Sequence, residues 1–292
     1  MHKSSIYLPD DLKQKLSQRA SAAGRSEADL IRQAITLLLS RDQPAPGTPA
    51  DSDPAPLALP RPGLIGVGVG PGDPSLITRR AVAVLTEADR VLTVSTDARS
   101  IGRAEAVVRS AVPLAPIQRV AFDLDPRERE RSMSDLVEAV SAALDVSELV
   151  AVAVLGDPAQ WTLFPDLAQR LRSTRPALPI AAVPGITAYQ AAAAGAAIAL
   201  GGGSGSLVVT ADPRRAARAA RDGDAVVLHK TDTTGEVVRT LAEESGRDDA
   251  LFAELTGLPG ERLVPARSAP DGPIAYLSTV IVPAPAGAMT RR

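Results

Sequence analysis

Beyond residue 63, short runs of apolar residues recur at intervals, and between them the apolar positions fall three and four apart. The runs are Leu64 to Val69, Arg90 to Val94, Leu149 to Leu155, Ile180 to Val183, Leu207 to Thr210, Ala225 to Leu228, Ala250 to Leu255 and Ile274 to Val282. Runs of this length predict buried strands, and the intervening spacing predicts amphipathic helices, so the rhythm is that of an α/β protein. The glycine-rich run Gly201 to Gly205 follows a predicted helix at 186–199 and precedes a new strand, and so predicts a hinge between two α/β halves, 63–185 and 186–292.

The first 41 residues follow another pattern. Ser4, Ile6 and Leu8 alternate with Lys3, Ser5 and Tyr7 as a short strand. Pro9 and Asp10 open a helix with Leu12, Leu16 and Ala20 on one face, ended by Gly24. Ser26 is placed to cap a second helix, with Asp29 three residues on and a stripe of Leu30, Ile31, Ala34, Ile35, Leu38 and Leu39. One strand and two helices in about 40 residues cannot close a core alone, so this segment needs a partner. Residues 42–62 consist largely of Pro, Ala, Asp, Gly, Ser and Thr without periodicity and form a linker that holds two folded parts apart.

Three predicted strands end in loops suited to ligand binding. The first is Gly66 to Thr78, where glycines let backbone approach a ligand, Pro71 and Pro74 fix the path, and Ser75 is placed to cap the helix through Ala81, Val84, Leu85 and Ala88. The others are Gly156-Asp157-Pro158 and Val183-Pro184-Gly185-Ile186-Thr187. Open α/β sheets bind ligands at such strand ends. A dinucleotide fingerprint is excluded: counted from Gly66 its third glycine falls on Pro71, and counted from Gly68 it falls on Asp73. No phosphate-binding G-x-x-x-x-G-K-[ST] motif occurs either.

Composition narrows the chemistry. The chain has 292 residues, 45% of them hydrophobic and 23% charged, with no cysteine and two histidines, His2 and His229. Disulfides, thiolate nucleophiles and cysteine- or histidine-rich metal sites are therefore excluded. Aromatics make up only 2%, so Ala, Val and Leu must fill the core. No apolar run reaches the roughly 20 residues of a membrane helix, and no signal pattern opens the chain, which leads to the expectation of a cytoplasmic protein. Residues 1–41 carry seven Lys or Arg against four Asp or Glu, a local +3 in a chain of net charge −2.

The three loops, in this order, resemble those of the tetrapyrrole (corrin/porphyrin) methylases over essentially all of residues 63–292, and together with the closing Pro273 to Val282 they look most like the branch that methylates C-20 of precorrin-2 in cobalamin biosynthesis. The resemblance implies two α/β domains with S-adenosylmethionine in the cleft between them, touching Pro71, Leu155, Gly156, Asp157, Gln160, Thr187, Ala188 and His229. Asp157 has two readings, a hydrogen-bond acceptor for the donor's polar groups or an Asx turn, and His229 is either a donor contact or a packed strand end. Arg79, Arg99 and Arg103 are candidate partners for the acceptor's carboxylates, whereas Arg127, Arg129, Arg131 and the cluster Arg214, Arg215, Arg218 and Arg221 read as solvated helix faces. The chain departs from the family's pattern where Ala159-Gln160-Trp161-Thr162 stands in place of Thr-Leu-Tyr-Ser and where His229 stands in place of Met.

Residues Ser4 to Arg41 resemble the ribbon-helix-helix family, in which two chains pair their strands and enter the DNA major groove. This implies a homodimer in which Lys3, Ser5 and Tyr7 face base edges and the Ser26 helix end meets a phosphate, or else a dimerisation handle without DNA. The expected whole is a ribbon-helix-helix module ahead of a two-domain α/β methylase. A regulator using the methylase fold as a sensor for S-adenosylmethionine or a corrinoid is the alternative, as is a methylase with another precorrin as acceptor.

Overall fold

The structure is a computed structural model that describes residues 9–22, 26–32, 60–97, 99–123, 125, 127–202, 205–229 and 234–283. The chain divides into two compact units, Met1–Ala55 and Pro56–Arg292. In the first, α1 (Asp10–Ala22) is followed by α2, described over residues 27–32. The Ser26 hydroxyl accepts from the Asp29 amide at 3.1 Å and donates to the Asp29 carboxylate at 2.8 Å, the expected cap. Lys13 pairs with Glu27 between the helices. Lys3, Ser5, Tyr7 and the distal stripe Ala34, Ile35, Leu38 and Leu39 lie outside the described residues, as do residues 42–59 of the expected linker 42–62.

The second unit contains two five-stranded sheets. The first is wholly parallel, in the order β3-β2-β4-β1-β5, from β1 (Gly63–Gly68), β2 (Arg90–Ser95), β3 (Ile117–Ala121), β4 (Leu149–Val154) and β5 (Ile180–Val183). Every residue of β1 and β4 is buried, as parallel strands covered on both faces require. Helices α3 (Arg79–Glu87) and α4 (Arg103–Ala111) cover one face through Val84, Leu85, Val107 and Val108. Helices α5 (Arg129–Asp145) and α6 (Phe164–Thr174) cover the other through Leu136, Leu144, Leu167 and Leu171. Phe164 packs so closely on β1 that a Cβ at Gly66 would lie 2.6 Å from its ring.

The second sheet is mixed, in the order β6-β7-β10-β8-β9, from β6 (Leu207–Thr210), β7 (Ala225–His229), β8 (Leu251–Glu254), β9 (Arg262–Pro265) and β10 (Ser278–Val282). Helices α8 (Pro213–Arg221) and α9 (Gly235–Ser245) cover one face; α7 (Ala188–Gly195) packs Tyr189, Ala192 and Ala193 against Val227, Ala253 and Ile281 on the other. Because β10 is antiparallel to β7 and β8, the C-terminal ends of those two strands and the N-terminal end of β10 share one edge.

Several expectations need correction. Ser75 does not cap α3: Pro74–Leu76 forms a separate 3-10 turn capped by Asp73, and the cap of α3 is Thr78, which accepts from the Ala81 amide at 3.1 Å. The helix expected over 186–199 spans Ala188–Gly195, and strand β10 begins at Ser278 rather than Ile274. Strands β3 and β9, which the pattern of apolar runs passes over, are edge strands of their sheets. Of the glycine run expected as a hinge, residues 203 and 204 lie outside the described part.

Candidate active site

The first two loops meet by backbone pairing. The Gly156 amide donates to the Gly70 carbonyl at 2.8 Å, forming an antiparallel bridge beyond the ends of β1 and β4. Gly70 and Gly156 have φ of 82° and 71°, the left-handed region in which a side chain is strained. The third loop crosses the other two without room for a Cβ, which at Gly185 would lie 2.1 Å from the Gly156 carbonyl oxygen.

Asp157 locks this crossing. Its Oδ1 accepts from the Ala159 amide at 2.8 Å as an Asx turn, and its Oδ2 accepts from the Gly185 amide at 3.1 Å. Both carboxylate oxygens are thus engaged by the protein, which favours the turn-fixing reading over the ligand-binding one. Thr187 caps α7 in a capping box with Gln190, whose Oε1 lies 2.9 Å from the Thr187 amide. Nearby, the Asp73 carboxyl is held below the usual carboxylate range by hydrogen bonds from Ser75.

These loops form one wall of a cavity lined by Pro71, Leu155, Gly156, Asp157, Gln160, Thr187, Ala188, His229, Thr256, Leu258 and Leu277. All eight residues expected at the donor site line it. The other wall comes from the shared edge of the second sheet: His229 ends β7, Thr256 and Leu258 follow β8, and Leu277 precedes β10. The two walls close on each other where a Cβ at Gly72 would sit 2.6 Å from Leu258 and one at Gly257 would sit 2.8 Å from the Asp73 amide.

His229 is buried, its Nδ1 2.8 Å from the Thr279 hydroxyl. Its ring meets those of Trp161 and Tyr189 edge to face, with centroids 5.7 and 5.9 Å away. The Tyr189 hydroxyl donates to Gln160 Oε1 at 3.1 Å. Arg79, Arg99 and Arg103 are exposed and do not line the cavity. They stand at the start of α3, in the loop after β2 and at the start of α4. Thr256, Leu258 and Leu277 were not anticipated, although the sequence Leu255-Thr256-Gly257-Leu258-Pro259-Gly260 carries the same glycine-proline signal as the other loops.

The donor set discriminates among ligands. Apolar side chains dominate, joined by two threonines, an amide, an imidazole and a carboxylate, with no Lys or Arg among the described residues that line it. Among the described residues this lining offers a phosphate no cationic partner, and a sulfonium-bearing nucleoside meets no like charge from them. The family profile of the Tetrapyrrole (Corrin/Porphyrin) Methylases matches residues 63–269. The chain belongs to this family. A Precorrin-2 C(20)-methyltransferase from Sinorhizobium sp is 31% identical over 235 residues, which cover 75% of this chain and 94% of that protein. A Cobalt-precorrin-2 C(20)-methyltransferase from Salmonella typhimurium is 27% identical over 230 residues, covering 75% and 95%. Among solved structures, the methyltransferase CobJ superposes with a TM-score of 0.57 at 21% identity, over 79% of this chain and 96% of that one, which shows the fold. Residues 5–42 match the Ribbon-helix-helix protein, copG family.

Among the described residues no group of His, Cys, Asp or Glu is arranged to hold a metal ion, and no helix is long and apolar enough to cross a membrane.

Proposed function

We propose that this tetrapyrrole methylase transfers a methyl group from S-adenosylmethionine to C-20 of precorrin-2, a step of cobalamin biosynthesis. The observation that carries the reading is the convergence of three strand-end loops and the edge of a second sheet on one cavity. The 31% identity to a Precorrin-2 C(20)-methyltransferase supports the choice of acceptor.

S-adenosylmethionine supplies a methyl group already activated on a sulfonium, so the protein's task is alignment and exclusion of water rather than proton transfer. Asp157 and the glycine crossing hold the loop backbone in one conformation. Pro71, Leu155, Ala188, Leu258 and Leu277 keep the cavity dry, while Thr187, Gln160, Thr256 and His229 offer polar atoms to the nucleoside and amino-acid ends. The exposed Arg79, Arg99 and Arg103 remain the proposed partners of the acceptor's carboxylates. Mass spectrometry of the protein incubated with S-adenosylmethionine and enzymatically generated precorrin-2 tests the reading. A gain of one methyl at C-20 with release of S-adenosylhomocysteine is expected; donor binding without methylated product overturns the acceptor.

The match to the copG family favours a second role for residues 5–42. In this role two cytoplasmic chains pair their N-terminal strands into a homodimer, Lys3, Ser5 and Tyr7 contact DNA bases, and the Ser26 helix end receives a phosphate. A mobility-shift assay on fragments flanking the chain's own gene, with and without S-adenosylmethionine, tests it, and binding that is absent in both conditions leaves the segment a dimerisation handle.

A further inference from the structure

Six of the chain's seven aromatic residues lie in the described part, and four of them, Phe122, Phe164, Tyr189 and Phe252, are at most 6% exposed. The other two are Trp161 at 42% and Tyr276 at 52%. Each directly neighbours a residue that lines the cavity, Trp161 following Gln160 and Tyr276 preceding Leu277. A chain this poor in aromatics therefore leaves its only tryptophan uncovered in contact with a residue of the cavity lining, and one of its three tyrosines uncovered one position from another in sequence.

Trp161 is held there at some cost. Its φ is 48°, the left-handed region that a bulky residue rarely occupies and that persists only where the surroundings enforce it. The enforcement is visible on both sides of the residue. Thr162 donates its hydroxyl to the Pro158 carbonyl at 2.7 Å, closing the loop over itself, and the indole meets the buried His229 ring edge to face. His229 is in turn fixed by Thr279 and Tyr189, so a continuous contact runs from the rigid second sheet to the exposed indole.

We propose that Trp161, backed by His229 and joined by Tyr276, is the platform that receives the flat, conjugated face of the methyl acceptor at the cavity mouth. The inference rests on the tetrapyrrole methylase reading and adds to it the residues that position the acceptor. An aromatic face covers a conjugated ring with little loss of side-chain freedom, since the platform is already ordered. The residues proposed for the donor are buried or half-buried where Trp161 is 42% exposed, so Trp161 should govern acceptor affinity and leave donor affinity alone.

The test compares the full-length wild type with W161A, W161F and Y276A. Donor-site integrity is measured by calorimetry with S-adenosylhomocysteine, and acceptor binding by absorbance titration of the product-saturated protein with sirohydrochlorin, a stable oxidised form of precorrin-2. W161A should weaken sirohydrochlorin about tenfold or more, W161F should stay within about threefold of wild type, and Y276A should weaken it by a smaller factor. S-adenosylhomocysteine affinity should be unchanged in all three. Wild-type affinity for sirohydrochlorin in W161A, or a parallel loss of both ligands, overturns the platform while leaving the methylase reading intact. A wild type that binds S-adenosylhomocysteine but not sirohydrochlorin overturns the acceptor class, and the platform with it.

Discussion

Asp157 Oδ2 accepts a hydrogen bond from the Gly185 amide at 3.1 Å, across two loops whose parent strands are separated in the sheet by β1. This bond and the Asx turn at Ala159 make one carboxylate the tie between the second and third loops. D157A should therefore destabilise the protein by about 0.5–1.5 kcal/mol, the net worth of an ordinary hydrogen bond, since the Ala159 amide is exposed and the Gly185 amide half-buried. It should also weaken S-adenosylhomocysteine about tenfold or more by calorimetry, with D157N intermediate because its carbonyl can still serve the Asx turn. Wild-type affinity in D157A would mean that the crossing holds its shape without the carboxylate.

The crossing also sets a steric condition. A methyl at Gly185 would lie 2.1 Å from the Gly156 carbonyl oxygen and 2.8 Å from the carbonyl carbon of Gly68, both backbone atoms that cannot rotate aside. G185A should lose detectable S-adenosylhomocysteine binding and melt at lower temperature. G201A, where no atom lies within 4 Å of the added carbon, should stay within about 0.5 kcal/mol of wild type. Equal tolerance of the two substitutions in thermal melts and calorimetry would contradict the close crossing.

The site was more legible in the sequence than parts of the fold. Glycine and proline mark Gly70, Pro71, Gly156 and Gly185 because backbone there must turn or touch backbone, a demand that residue type alone reveals. Strands β3 and β9 gave no such signal. In β3, Gln118 accepts from Arg90 at 2.8 Å and Arg119 pairs with Glu105 at 2.6 Å, so polar side chains interrupt the apolar run for the sake of partners distant in sequence. In β9, Arg262 and Pro265 suit an edge, where one side of the ladder is unpaired. The contact of Trp161 with His229 joins positions 68 residues apart and required the fold.

Thr279 offers a separate handle on the second wall. Its hydroxyl lies 2.8 Å from His229 Nδ1 inside a buried strand pair, where β10 and β7 place the two residues opposite each other. T279V keeps the shape and deletes the hydroxyl, and should cost about 1–3 kcal/mol in urea denaturation. H229M removes the other partner and leaves the buried Thr279 hydroxyl without the imidazole, so it should cost a similar amount. A T279V protein as stable as wild type would show that this pair contributes nothing net.

The first lobe carries a pH dependence that has nothing to do with the site. Glu105 is fully buried in the first turn of α4, where the Arg119 guanidinium grips it through two hydrogen bonds of 2.6 and 2.7 Å and Arg109 adds another at 2.8 Å. Arg119 is the main reason that its pKa falls from 4.5 to about 2, with Arg109 contributing and burial opposing. Because the folded-state value lies below the unfolded one, the stabilisation is fully present above about pH 4.5 and fades as pH falls toward 2. By linkage it amounts to about 3 kcal/mol at neutral pH. E105Q keeps the volume and removes the charge, so the gap in unfolding free energy between wild type and E105Q should be about 3 kcal/mol at pH 7 and should narrow steadily between pH 4.5 and 3. Urea denaturation across that range reads the gap directly. Two curves that run parallel would place the acid sensitivity in other carboxylates and reduce Glu105 to a packing residue.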